Sequence, residues 1–130
     1  MNNAAASFSA EVLDIGYVQM VIAQTGPDTA SLDERVWPAG SDGEGPPTSQ
    51  NVYQLTNIRA FGNTVTCKAK VSWWLPAADV SLVLSDAGQQ PSAILAEKSL
   101  VQSKNLVLPL SSADWQGLVD FRKAANFPVA

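Results

Sequence analysis

Thr64-Val65-Thr66-Cys67-Lys68-Ala69-Lys70-Val71-Ser72-Trp73-Trp74-Leu75 alternates almost without error. Val65, Cys67, Ala69, Val71, Trp73 and Leu75 fall on one side. Thr64, Thr66, Lys68, Lys70, Ser72 and Trp74 fall on the other. Side chains in a strand point to opposite faces with a period of two. The stretch therefore reads as one strand of a sheet with a buried face and a wet face. The wet face is basic and hydroxylated, and it ends in a large aromatic ring.

Outward from this strand, Gly62-Asn63 fits a two-residue hairpin turn of the II′ kind. Val52 to Phe61 is the preceding strand. This turn sets a register in which Ala60 lies opposite Val65, Ile58 opposite Cys67, Thr56 opposite Ala69, Gln54 opposite Val71 and Val52 opposite Trp73. The other face then pairs Arg59 with Thr66, Asn57 with Lys68, Leu55 with Lys70 and Tyr53 with Ser72. A slip of one residue would exchange the two faces.

Further out, Ser7 to Leu13 and Tyr17 to Gln24 are strand-like runs around Asp14-Ile15-Gly16, which predicts an N-terminal hairpin over residues 1–24. Residues 25–50 break the pattern and read as a long loop or arm. Within it only Leu32 to Trp37 could form a short edge strand, stopped by Pro38. Beyond Pro76, Val80 to Leu84, Ala93 to Val101 and Asn105 to Leu110 are further strand candidates, so residues 51–110 form an antiparallel sheet of about five strands. Pro109 requires a sheet edge or a strand end.

The period then changes. Ser111-Ser112-Ala113-Asp114 offers N-cap hydroxyls and a first-turn acid. Trp115, Leu118, Val119 and Phe121 follow at helical spacing. Arg122 and Lys123 suit the last turn, Asn126 suits the C-cap and Pro128 stops the helix. The expected fold is α+β and a single domain over 1–130, with a helix over 111–127 packing on a sheet.

The chain has 130 residues, enough for one domain with a real core. It is 46% hydrophobic and 15% charged, against about 25% charged in typical soluble domains. So apolar a surface is expected to be covered, most simply by copies of the chain itself. No apolar run approaches the roughly 18 residues of a bilayer span, and the first residues lack the basic and apolar regions of a signal peptide. Residues 1–50 hold seven acids against Arg35 alone, net −6, while residues 51–130 hold five acids and seven bases, net +2. The two halves thus present different potentials.

There is no histidine. This removes the commonest general base, metal ligand and triad member. The single cysteine, Cys67, excludes an intrachain disulfide and a multi-cysteine metal site. Asp33 and Glu34 are adjacent acids with no second constellation, and read as surface charge. The expectation is a binding protein with no catalytic residues, no cofactor and no metal site. Its candidate surface is the wet face of the hairpin: Tyr53, Asn57, Arg59, Thr66, Lys68 and Lys70, with Ser72 and Trp74. Cations there could neutralise phosphates, and amides, hydroxyls and aromatic rings could meet sugars and unpaired bases. Trp73 is assigned to the core and Trp115 to anchoring the helix. Trp74 is assigned to a subunit contact or a stacked base.

The order of these elements resembles the coat proteins of single-stranded RNA bacteriophages. Phe8 to Gln24 looks like their opening hairpin. Val65-Thr66-Cys67-Lys68 looks like a central RNA-facing strand. Asn105-Leu106-Val107-Leu108-Pro109-Leu110 running into Ser111 to Asp114 looks like the last strand entering the helical tail. Two departures are that no second short helix follows Pro128 and that basic residues are few. The resemblance implies a homodimer with the helix clasping the partner's sheet, assembly into an icosahedral shell, location in the virion, and single-stranded RNA held on the inward sheet face by the six residues named above. Two other classes fit the same residues: a virion decoration or tail protein without RNA, and a ligand-binding β-sandwich module.

Overall fold

A computed structural model describes residues 4–70, 77–86, 90–98 and 103–130. The strands are β1 (Ala5–Val12), β2 (Gly16–Gly26), β3 (Thr29–Trp37), β4 (Ser49–Phe61), β5 (Thr64–Lys70), β6 (Ala78–Ser85), β7 (Ser92–Lys98) and β8 (Ser103–Pro109), and one helix, α1 (Ser112–Ala125), follows. The strands form one antiparallel meander in chain order, β1 to β8. Its curl brings Phe8, Ala10 and Val12 of β1 into one core with Leu106 and Leu108 of β8 and the following Leu110. The sheet is therefore nearly closed, although no ladder joins β1 to β8 among the described residues. Near-closure of this kind removes most of the edge that an open sheet exposes.

The mostly antiparallel sheet with one C-terminal helix matches the expected class. The strand count does not, since the described residues form one sheet of eight strands and not a hairpin beside about five. The difference lies in β3. It is a nine-residue strand paired on one side with β2 and on the other with β4, and is not a short edge strand. It thereby joins the two predicted units. Ala30, Leu32, Glu34 and Val36 alternate with Ser31, Asp33 and Arg35, and Glu34 interrupts the apolar set.

The irregular connection shrinks to residues 38–48, and it is tied down. Trp37 lies on the outer face yet is buried. Its Nε1 donates to the Gly45 carbonyl at 3.1 Å, and its ring lies 5.9 Å from that of Tyr17. The Gly40 amide donates to Glu11 Oε1 at 3.0 Å. The loop thus folds back over β1–β3 around two aromatic rings. Gly16, at φ 129°, packs so tightly that a Cβ would come within 2.2 Å of the Trp37 carbonyl oxygen.

The β4–β5 hairpin keeps the expected register only near its turn. Gly62 has φ 57° while Asn63 has no positive φ, as a II′ turn requires. Ala60 faces Val65 and Arg59 faces Thr66. A bulge follows, and Thr56 then faces Lys68, Leu55 faces Ala69 and Gln54 faces Lys70. Asn57 sits in the left-handed region at φ 54°. The Ile58 amide leaves the ladder and donates to the Asp28 carbonyl at 3.0 Å. One extra residue in one strand exchanges the faces beyond it. Leu55 is consequently buried and Tyr53 turns inward.

Helix α1 carries the expected caps. Ser111 accepts from the Asp114 amide at 3.1 Å, and Asn126 is left-handed at φ 50°. The helix packs within its own chain. Its first turn meets β1, where Asp114 Oδ2 accepts from the Ser9 amide at 3.2 Å. Leu118, and Trp115 more loosely, join the β1–β8 core. Phe121, Ala125 and Phe127 pack with Ala30, Leu55, Ile58 and Ala60. The Gln24 amide side chain caps the far end by donating to the Ala125 carbonyl at 2.9 Å. Pro109 closes β8, the last strand in the order, in keeping with its need for an end or an edge. Among the described residues no helix is long and apolar enough to cross a membrane. The assignments of Val71, Ser72, Trp73, Trp74 and Leu75, and the end of the strand expected over Ala93 to Val101, lie outside the described residues.

Candidate functional site

Two faces of the curled sheet carry chemistry. On the outer face, side chains of β4 to β8 line a groove of about 540 Å³ that mixes charged, polar and apolar residues. Four of the six residues singled out by alternation, Asn57, Arg59, Thr66 and Lys68, lie in it together. Lys98 of β7 and Asn105 of β8 extend it. Lys70 is on the same face at the end of β5, opposite Gln54, and is not among the groove's lining residues. Tyr53 is not on this face. The bulge at Asn57 turns it to the interior, which corrects its placement beside Lys68 and Lys70.

The cations of the groove already have anionic neighbours. Lys68 is paired with Asp79, its cross-strand partner on β6. Arg59 Nη1 donates to Asp28 Oδ2 at 3.2 Å and to the Ile58 carbonyl at 2.8 Å. The side chain and the carbonyl of Asp28 thus hold the two residues that follow Asn57. Exposed pairs of this sort are worth about 0–1 kcal/mol each and weaken in salt. They are loose enough for a polyanion to displace.

The interior face was not anticipated as a site. The sheet and helix enclose a cavity of about 100 Å³, lined largely by apolar residues such as Phe8, Met20, Ile58, Val65, Leu108 and Phe121. The lining also includes Glu34, Tyr53, Glu97, Lys104 and Arg122. Glu97 and Lys104 are direct cross-strand partners on β7 and β8. Tyr53 faces Leu32, two residues from Glu34 on the same side of β3. Burial pushes the Glu34 carboxyl above its ordinary value. Lys104 draws it back, and Glu97 adds to the rise. Burial, then the negative charges of Glu34 and Glu97, push the Tyr53 phenol up to about 12. Burial alone pushes the Cys67 thiol up to about 11, which keeps it protonated and inert at neutral pH.

A signal for this cluster was present in the sequence. Ala93 and Leu95 lead at period two to Glu97, Leu108 and Leu106 lead back to Lys104, and Leu32 and Val36 flank Glu34. Each charge continues an apolar face where a hydrophobe is expected. Among the described residues no three Cys, His, Asp or Glu side chains gather as metal ligands. No family model matches the chain, and neither does a curated protein or a solved structure.

Proposed function

We propose that this chain is a non-catalytic virion coat protein of the single-stranded RNA bacteriophage type, which associates with copies of itself and contacts RNA through the outer β4–β8 groove. The observation that carries the reading is the gathering of three cations, Arg59, Lys68 and Lys98, with Asn57, Thr66 and Asn105 in one groove, against two acids, Asp79 and Glu97. Such a surface offers cations to phosphates and amides and hydroxyls to sugars and bases. The last strand running into a C-terminal helix, as the resemblance implies, adds to it, whereas the eight-stranded, nearly closed sheet departs from it.

Because α1 packs on its own sheet, this reading needs no exchange of helices. Copies would instead meet through exposed apolar side chains. Phe61 and Val129, 70% and 75% exposed, share a second groove with Trp115 and are the leading candidates. Contiguous exposed apolar surface of this kind suits contact between subunits.

The test is to express the chain alone and examine the product by chromatography and electron microscopy. Shells containing RNA are expected. A stable monomer at about micromolar concentration defeats the reading, and assemblies free of RNA leave a decoration or tail role in its place. Lys68→Ala with Lys70→Ala is expected to weaken RNA binding and flatten its salt dependence with the fold intact.

A further inference from the structure

The exposed apolar groove at one end of the sheet has a complement at the other. We propose that copies of this chain join head to tail, the acidic tip of the β1–β2 hairpin on one copy seated in the groove between α1 and the β4–β5 turn on the next. The inference rests on the self-association proposed above and names the two surfaces that meet.

Adjacent strands run antiparallel throughout, so the β1–β2 turn and the β3–β4 connection lie at one end of the sheet and the β4–β5 turn at the other. At the first end Glu11 stands opposite Tyr17, and a Cβ on Gly43 would sit 3.0 Å from the Tyr17 ring. With the bond from the Gly40 amide to Glu11, this holds Asp42 and Glu44 beside the hairpin that carries Glu11 and Asp14. Leu13 and Ile15, in the turn of that hairpin, are 87% and 38% exposed. Arg35, the only base in residues 4–48, is already paired with Asp33. Lys70, Lys98 and Lys104 reach the same end on β5, β7 and β8, yet no salt bridge among the described residues joins any cation to Glu11, Asp14, Asp42 or Glu44.

At the second end a groove of about 520 Å³ brings Phe61, Val129, Trp115 and Val119 together with Arg122 and Lys123. Asp86 is the one acidic side chain in its described lining. Neither Arg122 nor Lys123 has a salt-bridge partner among the described residues. Arg122 also borders the interior cavity, so the exposed Lys123 is the more available charge. The helix dipole accounts for two cations in the last turn, but not for Phe61 and Val129 left exposed in the same groove. Each surface thus joins exposed apolar side chains to unneutralised charge, and the two charges are opposite. A two-fold contact would set either surface against itself, acids on acids or bases on bases. Joining unlike surfaces instead covers Leu13 and Ile15 with Phe61 and Val129 and brings Asp42 and Glu44 to Lys123. Such a contact is heterologous, and it closes into a ring where the rotation between copies allows.

The experiment uses two double variants of the full chain. Leu13→Ser with Glu44→Lys blocks the tip, and Phe61→Ser with Lys123→Glu blocks the groove. All four side chains are exposed, so both variants should fold, which circular dichroism checks. Sedimentation velocity at low salt, after ribonuclease treatment, follows wild type, each variant alone and their equimolar mixture. Each variant alone is expected to associate about tenfold or more weakly than wild type. The mixture is expected to recover a one-to-one pair of wild-type affinity, since each variant keeps the surface that the other has lost. If neither variant weakens association, or the mixture does no better than the variants alone, the head-to-tail contact is overturned and self-association stands. Loss in the groove variant alone means a two-fold contact through the groove, and association that ribonuclease abolishes is bridging by RNA; either result overturns the proposal. A wild-type chain that stays monomeric at about micromolar concentration overturns both the contact and the self-association beneath it.

Discussion

Asp114 and Ser9 connect the helix to the sheet edge. The Asp114 carboxylate accepts from the Ser9 backbone amide at 3.2 Å across 105 residues of sequence. Ser9 lies on β1, whose outer edge has no ladder partner among the described residues. An unpaired edge amide is a template for pairing with another chain. Asp114 occupies one such group, and its charge also favours the N-terminus of α1.

Asp114→Ala is therefore expected to cost about 1–2 kcal/mol in urea unfolding, from the lost hydrogen bond and the lost dipole term. The Ser9 amide should exchange faster in the same variant. Asp114→Asn keeps an acceptor and should lose less. Unchanged Ser9 exchange in Asp114→Ala would show that the contact does not protect the edge.

A second prediction concerns the bulge. Asn57 holds φ 54°, a region that costs most residues about 1–2 kcal/mol and glycine nothing. Asn57→Gly is expected to stay within a few tenths of wild type, whereas Asn57→Val should lose about 1–2 kcal/mol. If both variants match wild type in urea melts, Asn57 does not hold this conformation in solution.

The bulge also explains where sequence reading stops. Alternation through Thr64 to Lys70 and the turn at Gly62-Asn63 place Arg59 and Thr66 correctly, because two-residue turns dictate register. A single left-handed asparagine then reverses the faces of β4, and no composition rule marks it in advance. The groups that hold the next two residues, Ile58 and Arg59, are the carbonyl and carboxylate of Asp28, which come from a distant turn. The helix was legible to its caps because capping is a local exchange of hydrogen bonds. β3 was not, because Asp33 and Glu34 resemble loop residues until a nearly closed sheet gives Glu34 an interior with Lys104 across it. Alternation in one hairpin reached only that hairpin's share of the outer groove, Asn57, Arg59, Thr66 and Lys68, and the interior cluster needed four strands to be placed at once.

Asp79 tests the outer groove from the opposite direction to loss of cations. If RNA uses that face, Asp79 competes with phosphate for Lys68. Asp79→Asn should then raise RNA affinity at low salt by up to about fivefold, the upper end of what an exposed pair is worth. It should also steepen the salt dependence by about one ion. Filter binding at two salt concentrations measures both, and an affinity unchanged at low salt would take Lys68 out of the RNA contact.

Glu34 provides the pH prediction. Its folded-state carboxyl titrates above the ordinary value of 4.5, chiefly because it is buried. In acid it is protonated in both the folded and unfolded chain and makes no difference. As the pH rises through 4.5 the unfolded chain ionises first and binds fewer protons than the folded one, so stability falls. The fall continues until the folded carboxyl ionises too, after which this contribution is constant. Glu34→Gln should therefore match wild type in acid, exceed its stability at neutral pH, and lose this part of the pH slope. Lys104→Met should act in the reverse sense, since Lys104 lowers the Glu34 value and its removal deepens the fall. Urea unfolding of the three chains across this range separates the outcomes. A Glu34→Gln chain less stable than wild type at neutral pH would mean that the ionised carboxylate is held by favourable contacts rather than penalised by burial.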